Sequence, residues 1–169
     1  MLTIRPERPK DFSAVFTILY RAFGRPEEAE LVEKLRSVAD PQISLVAELD
    51  GQVVGHIFFS PVTIEDENLS FVAFGLAPMA VLPELQNRGI GSQLVRVGLD
   101  TARKSGHTIV VVLGHPDYYP RFGFEVASRK GLCCEFPAPD EAFMVIELEP
   151  GALRGRSGIV KYLPAFSAV

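Results

Sequence analysis

One loop of this 169-residue chain constrains its fold and chemistry more than any other segment. An apolar run ends at Leu82 and is stopped by Pro83, and Gly89 and Gly91 follow just before a segment with helical periodicity. A glycine-bearing loop between a strand and a helix aims backbone N–H groups at whatever lies in front of it, and the helix dipole favours an anion there. The loop therefore predicts a binding site for a phosphorylated cofactor.

The spacing of these glycines excludes two common phosphate-binding loops. A P-loop requires a lysine directly after its last glycine, and this chain has Ser92 after Gly91. A dinucleotide-binding fingerprint requires a further glycine three residues on, where this chain has Leu94. What fits is the pattern Gln-x-x-Gly-x-Gly, which begins at Gln86 and follows a strand that ends in Val-x-Pro.

A second segment carries an independent signal. Residues 108–114 form a continuous β-branched run bounded by glycine, which is typical of a buried strand. The run leads into Tyr119-x-x-x-Gly123-Phe124. Taken in this order along the chain, the two segments resemble the motifs of the GNAT superfamily of N-acetyltransferases, which bind acetyl-coenzyme A (acetyl-CoA). The resemblance covers residues 1–150.

The resemblance implies a fold and a place for the cofactor. The fold would be α/β, with a mixed sheet flanked by helices and two parallel strands, 71–82 and 108–114, that splay apart at their carboxyl ends. The pantetheine arm would lie in the gap and pair with the main chain. The resemblance assigns that pairing to Ala80, Val81 and Leu82. It assigns the pyrophosphate to the N–H groups of Arg88, Gly89, Ile90, Gly91 and Ser92, and it adds Gln86 and Asn87 of the same loop as cofactor-binding residues.

The resemblance also implies direct transfer of an acetyl group from a thioester to an amine, on a small molecule or a protein. A main-chain N–H near Val81 or Leu82 would stabilise the oxyanion, and Tyr119 would protonate the departing thiolate. We expect no metal site. Two alternatives stay open: a non-catalytic module that senses acetyl-CoA, and an acyltransferase that uses another acyl group or an oxygen acceptor.

The sequence leaves the general base unassigned. Family members often carry a carboxylate on the strand before the pyrophosphate loop, but residues 71–81 contain no ionisable side chain. The base lies elsewhere, or the amine arrives uncharged. The alternatives are two residues after a predicted strand, one in a hairpin and two near the connection between the first two helices: His115, Asp117, His56, Glu28 and Glu30.

Local periodicity predicts the remaining elements. Apolar residues at helical spacing predict helices over 12–23 and 27–38, and alternation predicts a hairpin over 43–64 that turns at Asp50-Gly51. Short strands are expected at 2–5, 144–148 and 159–163. Because no repeat or linker interrupts these patterns, we expect a single domain over residues 1–169.

Composition narrows the function classes. A net charge of −4 with no basic run argues against a nucleic-acid partner, and the apolar runs are too short to span a bilayer. The first residues lack the pattern of a secretory signal. The adjacent Cys133 and Cys134 form no disulfide framework. We therefore expect a cytoplasmic protein, and the resemblance allows a homodimer.

Overall fold

The computed structural model describes all 169 residues and contains one mixed sheet of nine strands with three α-helices. The helices are α1 (Phe12–Phe23), α2 (Glu27–Val38) and α3 (Ile90–Lys104). The strands are β1 (Leu2–Pro6), β2 (Ile43–Leu49), β3 (Gln52–Glu65), β4 (Ser70–Val81), β5 (Ile109–Leu113), β6 (Glu125–Val126), β7 (Leu132–Cys134), β8 (Phe143–Glu147) and β9 (Gly158–Lys161). None of the helices is long and apolar enough to cross a bilayer.

The strands follow the order β1-β2-β3-β4-β5-β8-β6, and β9 pairs with β3 and β7. Neighbours are antiparallel except β4 with β5 and β7 with β9. This arrangement confirms the predicted mixed α/β sheet and its central parallel pair. The helices and strands expected from periodicity are present with bounds that differ by one or two residues, whereas β7 was not predicted because three residues are too few for a periodic pattern.

The two faces of β3 separate two helical layers. Phe58 packs with α1 and α2, and the neighbouring Ile57 and Phe59 pack with α3, because successive side chains of a strand point to opposite faces. Helix α3 lies so close to the sheet that a Cβ at Gly98 would be 2.5 Å from the Phe59 ring. Gly98 therefore allows α3 to pack closely on the sheet at this point.

Strands β4 and β5 are paired over only three residues each, 74–76 with 110–112. Directly after this pairing, Ala77 and Pro78 of β4 lie opposite the single residue Phe58 of β3, which is a β-bulge. A bulge bends its strand and increases the local twist. The two strands therefore diverge beyond Leu76, and they leave the gap that the sequence analysis predicted.

Candidate active site

A first cavity, of about 570 Å³, lies where β4 gives way to α3. It collects most of the predicted cofactor residues at one place. Its lining from β4, the loop and α3 comprises Met79, Ala80, Val81, Leu85, Gln86, Asn87, Gly89, Ile90, Gly91 and Ser92, and Ala22, Phe23, Tyr118 and Arg121 complete the wall. Of the predicted cofactor residues, only Leu82 and Arg88 do not line this cavity.

The start of α3 supplies a cradle of backbone donors. The first intrahelical bond runs from the Gln93 N–H to the Gly89 carbonyl, so the N–H groups of the three residues between them have no partner in the helix. Asn87 and Gly89 adopt left-handed backbone conformations, with φ of 65° and 86°, which turn the chain into the helix. No acidic residue lies in the first helical turn. The cradle is therefore suited to a pyrophosphate.

Gly91 keeps this cradle open. A Cβ at residue 91 would lie 3.3 Å from the Tyr118 hydroxyl oxygen, 3.6 Å from the Met79 side chain and 3.8 Å from that of Val81. Gly91 has no special backbone conformation, whereas Gly89 is required for its positive φ and has open space around it. The two glycines are thus needed for different physical reasons.

Hydrogen bonds at the end of β4 show which of its main-chain groups are already paired. The Leu82 N–H donates to the Val54 carbonyl at 2.9 Å, and the Gln86 side chain donates to the Val81 carbonyl at 3.0 Å. Because N–H groups of an antiparallel ladder alternate in direction, the Val81 N–H points away from β3 and towards the gap beside β5. Val81, and not Leu82, therefore has the free donor that can bind the thioester oxygen.

Two arginines near this site differ in their position relative to the first cavity. Arg88 is exposed and lies outside the cavity. Arg121, which the sequence analysis did not consider, lines it, and its guanidinium carbon stands 5.5 Å from the centre of the Tyr118 ring. Its position two residues after Tyr119 in the second motif was the only available signal.

A second cavity, of about 730 Å³, adjoins the first, and the two share Phe23, Met79 and Tyr118 in their walls. Most of its lining is apolar. The aromatic side chains are Phe23, Tyr118, Tyr119, Phe136, Tyr162 and Phe166, and the ionisable side chains besides the tyrosines are Arg25, Glu28 and His115. The cradle and the apolar chamber therefore lie on either side of one shared wall.

Tyr119 stands in the second cavity on a short 3₁₀ turn, Tyr119–Phe122. Its ring lies against the backbone of Gly114, just after β5, so closely that a Cβ at residue 114 would be 2.4 Å from the ring. Phe124 meets the ring edge at 5.6 Å between centroids. This burial raises the pKa of the Tyr119 phenol well above its usual value, so the hydroxyl stays protonated over the physiological range.

The five candidates for the general base differ in whether they line one of the two cavities. His56, Asp117 and Glu30 line neither cavity. His115 lines the second cavity, but its Nδ1 accepts the Asp117 N–H at 3.2 Å, so the neutral ring carries its proton on Nε2 and cannot accept another there. Glu28 is the remaining carboxylate, and it is buried in the wall.

Sequence comparison agrees with this geometry. Residues 3–127 match the sequence profile of the acetyltransferase (GNAT) domain. The chain is 41% identical to the uncharacterized N-acetyltransferase YhbS of Escherichia coli over 167 residues, which cover 98% of this chain and 99% of that protein. It is 43% identical to YjhQ of the same species over 134 residues, which cover 78% of this chain and 74% of that protein.

Solved structures give the same result. The chain aligns with the 1.55 Å crystal structure of YhbS from Escherichia coli in complex with CoA, with a TM-score of 0.89, 40% identity and coverage of 98% of this chain and 92% of that chain. It aligns with a GNAT acetyltransferase from Brucella melitensis in complex with acetyl-CoA, with a TM-score of 0.80, 37% identity and coverage of 98% of both chains. The chain therefore belongs to the GNAT family of acetyltransferases.

Proposed function

We propose that this protein is an acetyl-CoA-dependent N-acetyltransferase that moves the acetyl group directly from the thioester to an amine. The observation that carries the proposal is the junction of the two cavities. The first offers an anion cradle on α3, the second offers an apolar chamber with Tyr119, and Tyr118 and Met79 stand in the wall of both. A module that only senses the cofactor would need the first cavity alone. The relatives solved with CoA and with acetyl-CoA support the same cofactor here.

Each group in the site takes a defined part in the reaction. The pyrophosphate binds the N–H groups of Ile90, Gly91 and Ser92, and Arg121 adds a positive charge. The pantetheine arm enters the gap beside β4. There the Val81 N–H binds the thioester oxygen, on which negative charge develops when the amine attacks the carbonyl carbon. As the C–S bond breaks, Tyr119 gives its proton to the thiolate.

The same proposal includes a cytoplasmic location. Cys133 and Cys134 are both free thiols, and free thiols are typical of reducing compartments.

Calorimetric titration of the purified protein with acetyl-CoA tests the cofactor. We expect acetyl-CoA and CoA to bind with micromolar affinity and ATP not to bind, because ATP has no pantetheine arm. Absence of acetyl-CoA binding would overturn the proposal.

Two arginine variants localise the binding. Arg121→Ala should weaken acetyl-CoA binding by about threefold to tenfold, because one contact between an exposed cation and the ligand is lost. Arg88→Ala removes the same charge outside the cavity and should leave the affinity unchanged. Equal effects of the two variants would contradict the position that we give to the pyrophosphate.

A further inference from the structure

We infer that the acceptor is a primary amine on a small apolar body, and that its ammonium group binds Glu28. This inference rests on the proposed function, since it concerns the second cavity of the same site. It gives a substrate class, and it assigns Glu28 as the general base that the sequence left unassigned.

Glu28 differs from the other carboxylates at the start of α2. It is only 7% exposed and lines the second cavity, whereas Glu30, two residues further on, is exposed and lines neither cavity. Arg25 binds both oxygens of Glu28, with Nε 3.0 Å from Oε1 and Nη2 on Oε2. An ionised carboxylate has about four lone-pair positions, so two remain for another donor.

Arg25 and its two carboxylate partners together carry a net negative charge. Arg25 carries one positive charge, and its guanidinium contacts two carboxylates, Glu28 and, at 3.5 Å, Glu27. The hydrogen bonds and charge of Glu28, and to a lesser degree the charge of Glu27, raise the pKa of Arg25. Arg25 and Glu28 in the cavity lining cancel in formal charge, and Glu27, which contacts Arg25 from outside the lining, gives this group of three side chains one excess negative charge. An incoming ammonium is complementary to that charge.

The rest of the cavity dictates what the ammonium is attached to. Phe136 and Tyr162 pack with 5.6 Å between ring centroids, Tyr162 and Phe166 with 5.2 Å, and all three line the cavity. Burial raises the pKa of the Tyr162 phenol far above its usual range, so this wall carries no charge from that group. An aromatic or aliphatic ring would be held by these surfaces.

The same walls disfavour more polar acceptors. A polyamine or an aminoglycoside would bring several cations and hydroxyls against aromatic surfaces, where a polar group without a hydrogen-bond partner is costly to bury. Glu28 can match one ammonium group. The cavity is thus suited to one charge at one end of an apolar molecule.

Glu28 also completes the proton balance. The ammonium gives one proton to the Glu28 carboxylate, directly or through a water molecule, and becomes a neutral amine. Its lone pair forms the new C–N bond, the C–S bond breaks, and Tyr119 protonates the thiolate. The N-protonated amide then loses its second proton, which restores the Tyr119 hydroxyl, and the proton on Glu28 passes to solvent, so each turnover releases one proton.

A panel of amines that differ in polarity tests the acceptor class. Thiol release from acetyl-CoA is measured with 2-phenylethylamine, spermidine, kanamycin and a lysine-containing peptide. We expect turnover with 2-phenylethylamine at a kcat/KM at least about tenfold above the other three, because the apolar body contributes binding only in the first case. Turnover of a polar amine without turnover of 2-phenylethylamine would overturn the inference and leave the proposed function standing. Failure to bind acetyl-CoA would instead overturn the proposed function.

A binding experiment isolates the role of Glu28. 2-Phenylethanol has the same body without the charge, so the CoA-bound protein should bind 2-phenylethylamine about 10- to 100-fold more tightly, the value of a hydrogen bond to a charged group. Glu28→Gln, which keeps the shape and an acceptor for Arg25, should abolish this preference without changing CoA affinity. Glu30→Gln is the matched control and should keep the preference. A preference that survives Glu28→Gln would overturn the assignment of Glu28.

Discussion

The hydroxyl group of Tyr118 lies 3.0 Å from the Oγ of Ser92, and this hydrogen bond joins the two sequence motifs in space. Ser92 belongs to the first turn of α3, and Tyr118 precedes the proposed acid Tyr119. The Tyr118 ring is fixed edge-on by Tyr119 and by Phe122, with centroids 5.1 and 5.2 Å apart. Since Tyr118 lines both cavities, the bond sets the distance between the cofactor cradle and the acceptor chamber.

Breaking this bond should therefore affect the cofactor more than the chemistry. We expect Tyr118→Phe and Ser92→Ala each to weaken acetyl-CoA binding by about threefold to tenfold, with kcat within about twofold of the native value. The double variant should be no weaker than the stronger single variant, because both changes remove one shared interaction. Titration calorimetry and steady-state kinetics provide the two readouts, and Tyr20→Phe on the half-exposed face of α1 is the control. Additive effects would exclude a shared role.

The proposed acid gives the opposite pattern. Tyr119→Phe removes the proton donor but keeps the ring that packs on Gly114, so kcat should fall by about 10- to 1000-fold while acetyl-CoA affinity stays nearly constant. The pKa of Tyr119 is raised by burial, so kcat should not decline at alkaline pH through ionisation of this group. Tyr162→Phe removes a hydroxyl from the same cavity and should retain kcat. Equal kcat for Tyr119→Phe and the native enzyme would remove Tyr119 from the mechanism.

Side chains at residue 91 should block the cradle in proportion to their size. Gly91→Ala brings a methyl group within 3.3 Å of the Tyr118 oxygen, and Gly91→Val adds two more carbons beside Met79. We expect acetyl-CoA affinity to fall for alanine and to fall by more than about tenfold for valine, because the space for the pyrophosphate is lost. Gln93→Val places the same branched residue at an exposed position of the same helix and should bind normally. Full affinity of Gly91→Val would refute the position of the pyrophosphate.

The features that local sequence determines were predictable. The period of the apolar residues places α1, α2 and the β2–β3 hairpin within one or two residues of their bounds. The glycine spacing identifies the turn into α3, because a left-handed residue such as Gly89 is a local requirement. The cofactor cradle is built from consecutive residues, so the motif contains nearly all of it.

The features that depend on tertiary packing were not predictable. Arg121 reaches the cradle, and Arg88 does not, because the turn after β5 folds back over α3. Glu28 and Glu30 look equivalent in the sequence, but the packing of α2 in the folded protein buries Glu28 and leaves Glu30 exposed. Likewise, the occupied Nδ1 of His115 is a consequence of its own turn, which no residue pattern expresses.

His56 belongs to a buried polar network on β3 rather than to the active site. Its Nε2 donates to the Oγ of Ser44 at 2.8 Å, since the Ser44 hydroxyl itself donates to Glu7 at 2.9 Å and Arg36 holds the Glu7 carboxylate. The Nδ1 atom of His56 is buried without a partner. Burial lowers the pKa of His56 to about 4, with the charge of Glu7 opposing the shift. The folded protein therefore keeps this ring neutral at a pH where the unfolded chain protonates it.

This difference predicts a loss of stability in mild acid. Below the unfolded-state pKa of about 6.5, the unfolded chain binds a proton that the folded chain excludes. The free energy of unfolding should therefore fall as the pH falls from 6.5 towards 4, and the stabilising contribution of the neutral His56 ring should be fully present above pH 6.5. At pH 5 the contribution of His56 is about 2 kcal/mol. Urea unfolding gives the free energy of unfolding at pH 7 and at pH 5. The loss between these two pH values should be smaller by this amount for His56→Gln than for the native protein. The carboxylates affect both proteins alike, and His115→Gln, at an exposed histidine, should keep the native difference. An unchanged difference in His56→Gln would mean that this ring does not couple folding to pH.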